Sequence, residues 1–129
     1  MTEPNWVNRR ALEILHDESI ARDGGAAGLR DEGLLESALA RPVNAFHYGT
    51  EDLCTLASLY ADGIAQNHPF VDGNKRAAFL TCVIFLEING LSFIAGEADA
   101  ALKVFALAGG DIDEHIFADW LRNNVQTKD

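Results

Sequence analysis

Residues 68–76, HPFVDGNKR, place a base, a carboxylate, an amide and two cations within nine positions. His68 titrates near neutral pH, so it is the natural general base of the cluster. Asp72 offers the hard oxygen ligand that Mg²⁺ prefers, while Lys75 and Arg76 carry the charges that attract phosphate. His68 and Asp72 could also bind a transition metal, but no third ligand for such a metal is evident nearby. The spacing therefore points to phosphate chemistry assisted by Mg²⁺.

The cluster precedes the apolar segment AAFLTCVIFLEI, which we predict to be a buried central helix. Amides from Gly73 onward would then lie at a helix N-terminus, which favours anions. The positive charges of Lys75 and Arg76 are unfavourable at this end of the helix dipole and destabilise the helix by about 0.3–1 kcal/mol each. A bound anion would relieve this cost. Asn74 would position phosphate, Gly73 would permit an unusual dihedral or a close backbone approach, and Phe70 would anchor the loop on the core.

Four residues of the cluster also have a purely structural interpretation. His68 could be a helix C-cap, Asp72 could cap the central helix, and Lys75 with Arg76 could face solvent. We interpret the other histidines as caps or solvated residues; they are His16, His47 and His115. The coincidence of so many polar groups within one turn favours the functional interpretation for the cluster.

Helical periodicity dominates the rest of the chain, and strand signals are sparse, so we predict an all-α fold. The predicted helices cover residues 6–21, a segment from Asp31, a segment from Thr50 to about Asn67 or His68, the central helix, 97–108 and 114–123. Pro42 is predicted to interrupt or end the second helix. Asn89-Gly90 stops the central helix, LSFIA is a short extended piece or turn, and Asp111 or Asp113 caps the last helix.

Composition excludes several classes of protein. A chain of 129 residues is predicted to form one domain over residues 1–129, and no apolar run is long enough to span a membrane. The N-terminus lacks a secretory signal, so we expect a soluble cytoplasmic protein. A formal net charge of −10 argues against direct nucleic-acid binding. Cys54 and Cys82 are expected to be buried free thiols rather than zinc ligands.

HPFVDGNKR resembles the Fic/Doc family signature H-x-F-x-[DE]-[GA]-N-[GK]-R. The matching residues are His68, Phe70, Asp72, Gly73, Asn74 and Arg76. The segments LHDESIARDGGAAGLRDEGLLESALARP and AAFLTCVIFLEINGLSF extend the resemblance to the Doc (death-on-curing) branch over nearly the whole chain. The resemblance implies a helical bundle around the central helix.

The resemblance also implies roles for the motif residues. His68 would deprotonate a threonine or serine hydroxyl of a target protein, and Asp72 would hold Mg²⁺. Gly73, Asn74, Lys75 and Arg76 would bind the triphosphate of ATP. AMP-transferring Fic enzymes carry glycine where this chain has Lys75 and a further arginine where it has Phe79. Both departures favour the Doc branch, whose members resemble protein kinases that present the γ-phosphate.

Partners follow from the same resemblance. A Doc-like toxin of a type II toxin–antitoxin pair would phosphorylate elongation factor Tu and stop translation. A Phd-like antitoxin would inhibit it by folding its C-terminal segment into a groove of the toxin. The self-inhibitory string [ST]-x-x-x-E-[GN] is absent from the sequence, which favours inhibition in trans. The alternatives are a Fic-type protein AMP-transferase and a catalytically idle antitoxin-binding module. Residues 24–33 would form a flexible loop or a flap over the substrate.

Overall fold

The computed structural model describes residues 2–128 as a helical bundle with one small two-stranded antiparallel sheet, which confirms the all-α prediction. The elements in chain order are α1 (Arg9–Asp23), α2 (Glu32–His47), α3 (Leu53–Asn67), α4 (Asn74–Ile88), β1 (Leu91–Phe93), α5 (Glu97–Gly109), α6 (Glu114–Arg122) and β2 (Val125–Thr127). Within residues 2–128, no helix is long and apolar enough to cross a membrane.

The core is built around α3 and α4, which pack against each other. Helices α2 and α6 cover α3, while α1, α5 and β1 cover parts of α4. Tyr60, Phe85 and Phe117 are fully buried at these contacts. Gly63 lets α2 approach α3 closely, because a Cβ at this position would lie 3.2 Å from the Ala38 Cα atom. The predicted central helix α4 is therefore fixed on several sides.

Local signals predicted some helix ends correctly. Asp31 accepts a hydrogen bond from the Leu34 amide, and Asp113 accepts from the amide of Ile116, so both are N-caps as expected. The central helix ends before Asn89, and β1 shows that LSFIA begins as an extended piece. The C-terminal strand β2 was not predicted; it pairs with β1 in antiparallel register.

Other helix ends differ from the prediction. The first helix starts at Arg9 rather than residue 6, because the Asn8 side chain caps it. Asp52, not Thr50, caps α3: its carboxylate accepts from both the amide and the hydroxyl of Thr55. A carboxylate satisfies two donors here and suits the positive end of the helix.

Pro42 neither interrupts nor ends α2, which continues to His47. The lost main-chain hydrogen bond is offset by packing, since Ala45 and Phe46 both lie against the core in the last turn. Trp6 contacts the Phe46 ring edge-on, with 5.8 Å between the ring centroids. Tertiary contacts from the N-terminal segment thus keep the residues after Pro42 helical.

The two cysteines are buried and free, as predicted. Burial raises the pKa of the Cys54 thiol to about 11 and raises the pKa of the Cys82 thiol further. Among the described residues, no group of three His, Cys, Asp or Glu side chains could hold a metal ion.

Candidate active site

The nine-residue cluster forms the connection between α3 and α4. His68 is the C-cap of α3 with φ 49° and ψ 55°, a left-handed conformation, and its amide donates to the Ile64 carbonyl. A non-glycine residue in this conformation costs about 1–2 kcal/mol. His68 is the one non-glycine residue in residues 2–128 with positive φ. Backbone strain at a residue that can act as a base is a mark of a functional position.

A cleft of about 780 Å³ opens beside this connection. Its floor is the motif segment with His68 and residues 71–76, and its walls come from α4 and α5. Arg22, in the last turn of α1, lies at its edge. The polar cluster and a ligand-sized concavity therefore coincide.

The His68 imidazole lines this cleft and is exposed. Over residues 2–128, no protein group forms a hydrogen bond with its ring. Either ring nitrogen is thus accessible to a hydroxyl that enters the cleft. The cap interpretation holds only for the backbone of His68, and its side chain is available for proton transfer.

Asp72 is held by two main-chain donors. Its Oδ2 atom accepts from the Ala26 amide at 3.1 Å, and its Oδ1 atom accepts from the Gly73 amide at 2.8 Å. These hydrogen bonds, with a smaller contribution from nearby Arg76, lower the pKa of the Asp72 carboxyl. The group is therefore an oriented carboxylate that borders the cleft.

This environment fits Mg²⁺, a cation that the resemblance implies. Each Asp72 oxygen has lone pairs beyond the one used by its amide donor, and the carboxylate is exposed. Mg²⁺ commonly binds through one or two carboxylates together with substrate phosphates and water. A single carboxylate beside a helix N-terminus, which favours anions, meets that requirement.

Gly73 caps α4 in a left-handed conformation with φ 71°. A Cβ at this position would lie 3.1 Å from the Ile20 Cδ1 atom and 3.3 Å from the His16 Nε2 atom. Glycine is therefore needed both for the dihedral and for the close approach of α1. The N-terminus of α4, with its unpaired amides and positive dipole, is thereby directed to the cleft.

The Asn74 side chain hydrogen-bonds the main chain of Phe70, a structural role that the sequence did not predict, and its contact with phosphate stays a prediction. Its Oδ1 atom accepts from the Phe70 amide at 2.9 Å, and its Nδ2 atom donates to the Phe70 carbonyl at 3.0 Å. The Phe70 ring is 2% exposed, so it lies in the core. Asn74 thus shapes the loop with its side chain and offers its main-chain amide to the cleft.

Lys75 and Arg76 bring two cations to the cleft. Lys75 Nζ lies 4.9 Å from the centroid of the Phe105 ring, a cation–π contact. Arg76 Nη1 lies 3.2 Å from Ser19 Oγ and 3.4 Å from the Gly24 carbonyl oxygen. Within the described part of the chain, neither cation forms a salt bridge with a carboxylate. Both charges therefore remain available to an anion.

His16 is the main residue that sequence reasoning assigned wrongly. It is 1% exposed, its Nε2 atom lies 2.8 Å from the Asp72 carbonyl oxygen, and its ring stacks on Phe70 at 3.9 Å. Because a carbonyl only accepts, Nε2 carries the proton. Its spacing of four from Leu12 and Ile20 was the available signal for burial. His47 and His115 are exposed, as expected.

Residues 24–31 form a loop that is hydrogen-bonded along the motif segment. Leu29 and Phe70 form an antiparallel bridge, with hydrogen bonds from Val71 N to Gly28 O and from Arg30 N to Pro69 O. Phe70 is thus held on one side by this loop and on the other by Asn74. The loop completes the support of the candidate site.

Comparison with known proteins identifies the family of this chain. The model of the Fic/DOC family matches residues 6–86, and the chain belongs to that family. The chain is 34% identical over 117 residues to "Protein kinase doc" of Escherichia phage P1, covering 90% of this chain and 92% of the relative. It is 43% identical over 86 residues to "Toxin Doc" of Mycolicibacterium smegmatis, covering 64% and 65% respectively. The resemblance to the Doc branch is confirmed.

Proposed function

We propose that this chain is the toxin of a toxin–antitoxin pair and that it transfers the γ-phosphate of ATP to a threonine or serine hydroxyl of a target protein. The observation that carries the proposal is the convergence of three features in one cleft. They are the accessible His68 imidazole, the oriented Asp72 carboxylate, and the start of α4 with Lys75 and Arg76. The relative named as a protein kinase supports the reaction class.

The arrangement supports a direct transfer. His68 removes the proton from the target hydroxyl, and the hydroxyl oxygen attacks the γ-phosphorus of ATP. The bond from the γ-phosphorus to the bridging oxygen breaks, and ADP leaves. The α4 N-terminus, Lys75 and Arg76 bind and orient the phosphates, since phosphoryl transfer depends on positioning and charge neutralisation. Mg²⁺ held by Asp72 would supply further neutralisation of phosphate charge.

The choice of γ-phosphate rests on two positions. Lys75 occupies part of the cleft beside Phe105, where AMP-transferring relatives carry glycine. Phe79 replaces the further arginine of those enzymes and packs edge-on against Phe93, with 5.4 Å between centroids. This position therefore supplies packing instead of a charge for phosphate. Both features disfavour the phosphate path used for AMP transfer.

We propose elongation factor Tu as the target, in the cytoplasm, and a Phd-like antitoxin as the inhibitor. The relative named "Toxin Doc" supports the toxin role. On α5, Leu102 is 70% exposed and Phe105 is 67% exposed, and Phe105 lines the cleft. Exposed apolar side chains of this kind suit the apolar face of an antitoxin helix. Such a helix would cover the cleft and exclude substrate.

Transfer from two labelled forms of ATP tests the proposal. The protein, elongation factor Tu and Mg²⁺ are incubated with γ-³²P-ATP or α-³²P-ATP, with His68→Ala as the control. We expect label from the γ position only, and its loss in His68→Ala. Label from the α position would identify an AMP-transferase and contradict the argument from Lys75. Absence of transfer from both, with growth arrest retained by His68→Ala, would identify an idle binding module.

A further inference from the structure

We propose that Arg30, which lies outside the motif, is a positioning residue for the base His68. Its guanidinium fixes the left-handed backbone of His68 and thereby the direction of the imidazole. This inference rests on the proposed function, in which His68 accepts the proton of the target hydroxyl. It assigns a catalytic purpose to the loop of residues 24–31.

The contacts converge on three consecutive carbonyl groups. Arg30 Nε donates to the His68 carbonyl at 2.7 Å, and Arg30 Nη2 donates to the Asn67 carbonyl at 2.9 Å. The main-chain amides of Arg30 and Asp31 donate to the Pro69 carbonyl at 2.7 and 3.0 Å. Residues 67–69 are therefore all held from residues 30 and 31. Arg30 and His68 are 38 residues apart in the sequence, so no local rule reveals this contact.

His68 needs external support for this conformation. A histidine with φ 49° is strained, and Pro69 further disfavours helical dihedrals at the preceding residue, so an extended backbone is the relaxed alternative. Across the described residues, no protein group hydrogen-bonds the imidazole, so its direction depends on the backbone. Fixing the His68 carbonyl fixes ψ, and with it the path from α3 into the motif.

Arginine is suited to this position by its shape and charge. The planar guanidinium presents parallel donors to two neighbouring carbonyls at once, whereas a lysine ammonium cannot reproduce that fork. The carbonyls belong to the C-terminal end of α3, where the helix dipole favours a cation. Arg30→Lys should therefore keep part of the effect, and Arg30→Ala should lose it.

The kinetic test compares Arg30→Ala and Arg30→Lys with Arg10→Ala, a matched control at an exposed arginine on α1. Circular dichroism first establishes that each variant is folded. We expect Arg30→Ala to lower kcat about tenfold, equivalent to ~1.4 kcal/mol in the barrier, with KM for ATP within about twofold of the parent. The kcat of Arg30→Lys should lie between those of Arg30→Ala and the parent, and the kcat of Arg10→Ala should match the parent. A purely structural role would not separate kcat from KM in this way.

A second readout does not depend on activity. Labelling histidine with ¹³C and ¹⁵N gives the Cα, Cβ and carbonyl chemical shifts of His68, which report its backbone conformation. We expect left-handed shifts in the parent and in Arg10→Ala, and movement towards extended values in Arg30→Ala. Unchanged His68 shifts in Arg30→Ala would overturn the inference, and so would altered shifts at unchanged kcat. If the parent itself transfers no phosphate, the proposed function fails, and the shifts alone decide whether Arg30 positions His68.

Discussion

Replacing Asn74 by alanine tests whether this residue shapes the loop or grips phosphate. The Asn74 side chain both accepts from and donates to the main chain of Phe70. Alanine removes both hydrogen bonds while keeping the backbone of α4. If the side chain supports the loop, the main effect should fall on folding stability.

The magnitude follows from these two bonds. Each contributes about 1 kcal/mol net, and leaving partly buried Phe70 groups without partners adds to the loss. Alanine regains at most about 0.7 kcal/mol through its helix propensity. We therefore expect a decrease of about 2 kcal/mol in the free energy of unfolding. For a chain of this size, that corresponds to a fall of about 8 °C in Tm.

Urea unfolding followed by the fluorescence of Trp6 and Trp120 measures this change. Asn44→Ala is the matched control, because Asn44 is exposed on α2 and its replacement by alanine changes the helix propensity by the same amount. Its free energy of unfolding should stay within about 0.5 kcal/mol of the parent. The reasoning would be refuted if Asn74→Ala were as stable as the control but raised KM for ATP severalfold. That result would mean that the side chain leaves Phe70 to bind phosphate.

Three further predictions concern the same site. Asp72→Asn should have a lower free energy of unfolding than the parent at pH 6, and this difference should shrink as the pH falls below about 3.8. The reason is that a carboxyl group with a lowered pKa in the folded state stabilises the fold only while it is ionised. Urea unfolding at several pH values measures the difference. Gly25→Ala should raise the Mg²⁺ concentration needed for half-maximal transfer, since its Cβ would lie 2.7 Å from Asp72 Oδ2, whereas Gly28→Ala has similar backbone strain without that clash. An equal increase in the required Mg²⁺ concentration in both variants would contradict the role of the contact with Asp72. His16→Phe should lower the free energy of unfolding by about 1–3 kcal/mol, because it leaves the Asp72 carbonyl without its hydrogen-bond donor. His47→Phe should leave this free energy unchanged. Equal urea midpoints for the two variants would exclude a stabilising hydrogen bond between His16 and Asp72.

Sequence reasoning succeeded where the signal was local. The Asn89-Gly90 stop and the Asp31 and Asp113 caps depend on contacts within a few residues, and each could be predicted from side-chain chemistry. The motif spacing also placed Asp72 and the start of α4 together correctly. These features need no knowledge of which helices pack against each other.

The remaining features depend on contacts between distant parts of the chain. The continuation of α2 beyond Pro42 requires the core contacts of Phe46, which periodicity does not reveal. The contact of His16 with Asp72 spans 56 residues, and the contact of Arg30 with His68 spans 38. The hydrogen bonds between the Asn74 side chain and the Phe70 main chain were not predicted, because a motif match does not say which polar atoms the loop itself uses. Support of the site is therefore mostly long-range.

Both ends of the described chain meet the far end of α4. The Asn5 amide donates to the Asn89 side chain, and the Lys128 amide donates to the Gly90 carbonyl. Since α4 has 15 residues, its axis separates these contacts from the Gly73 cap by about 22 Å. A fluorophore attached near either end would therefore be held apart from the cleft. Labels for binding measurements can therefore be placed at these positions, away from the candidate active site.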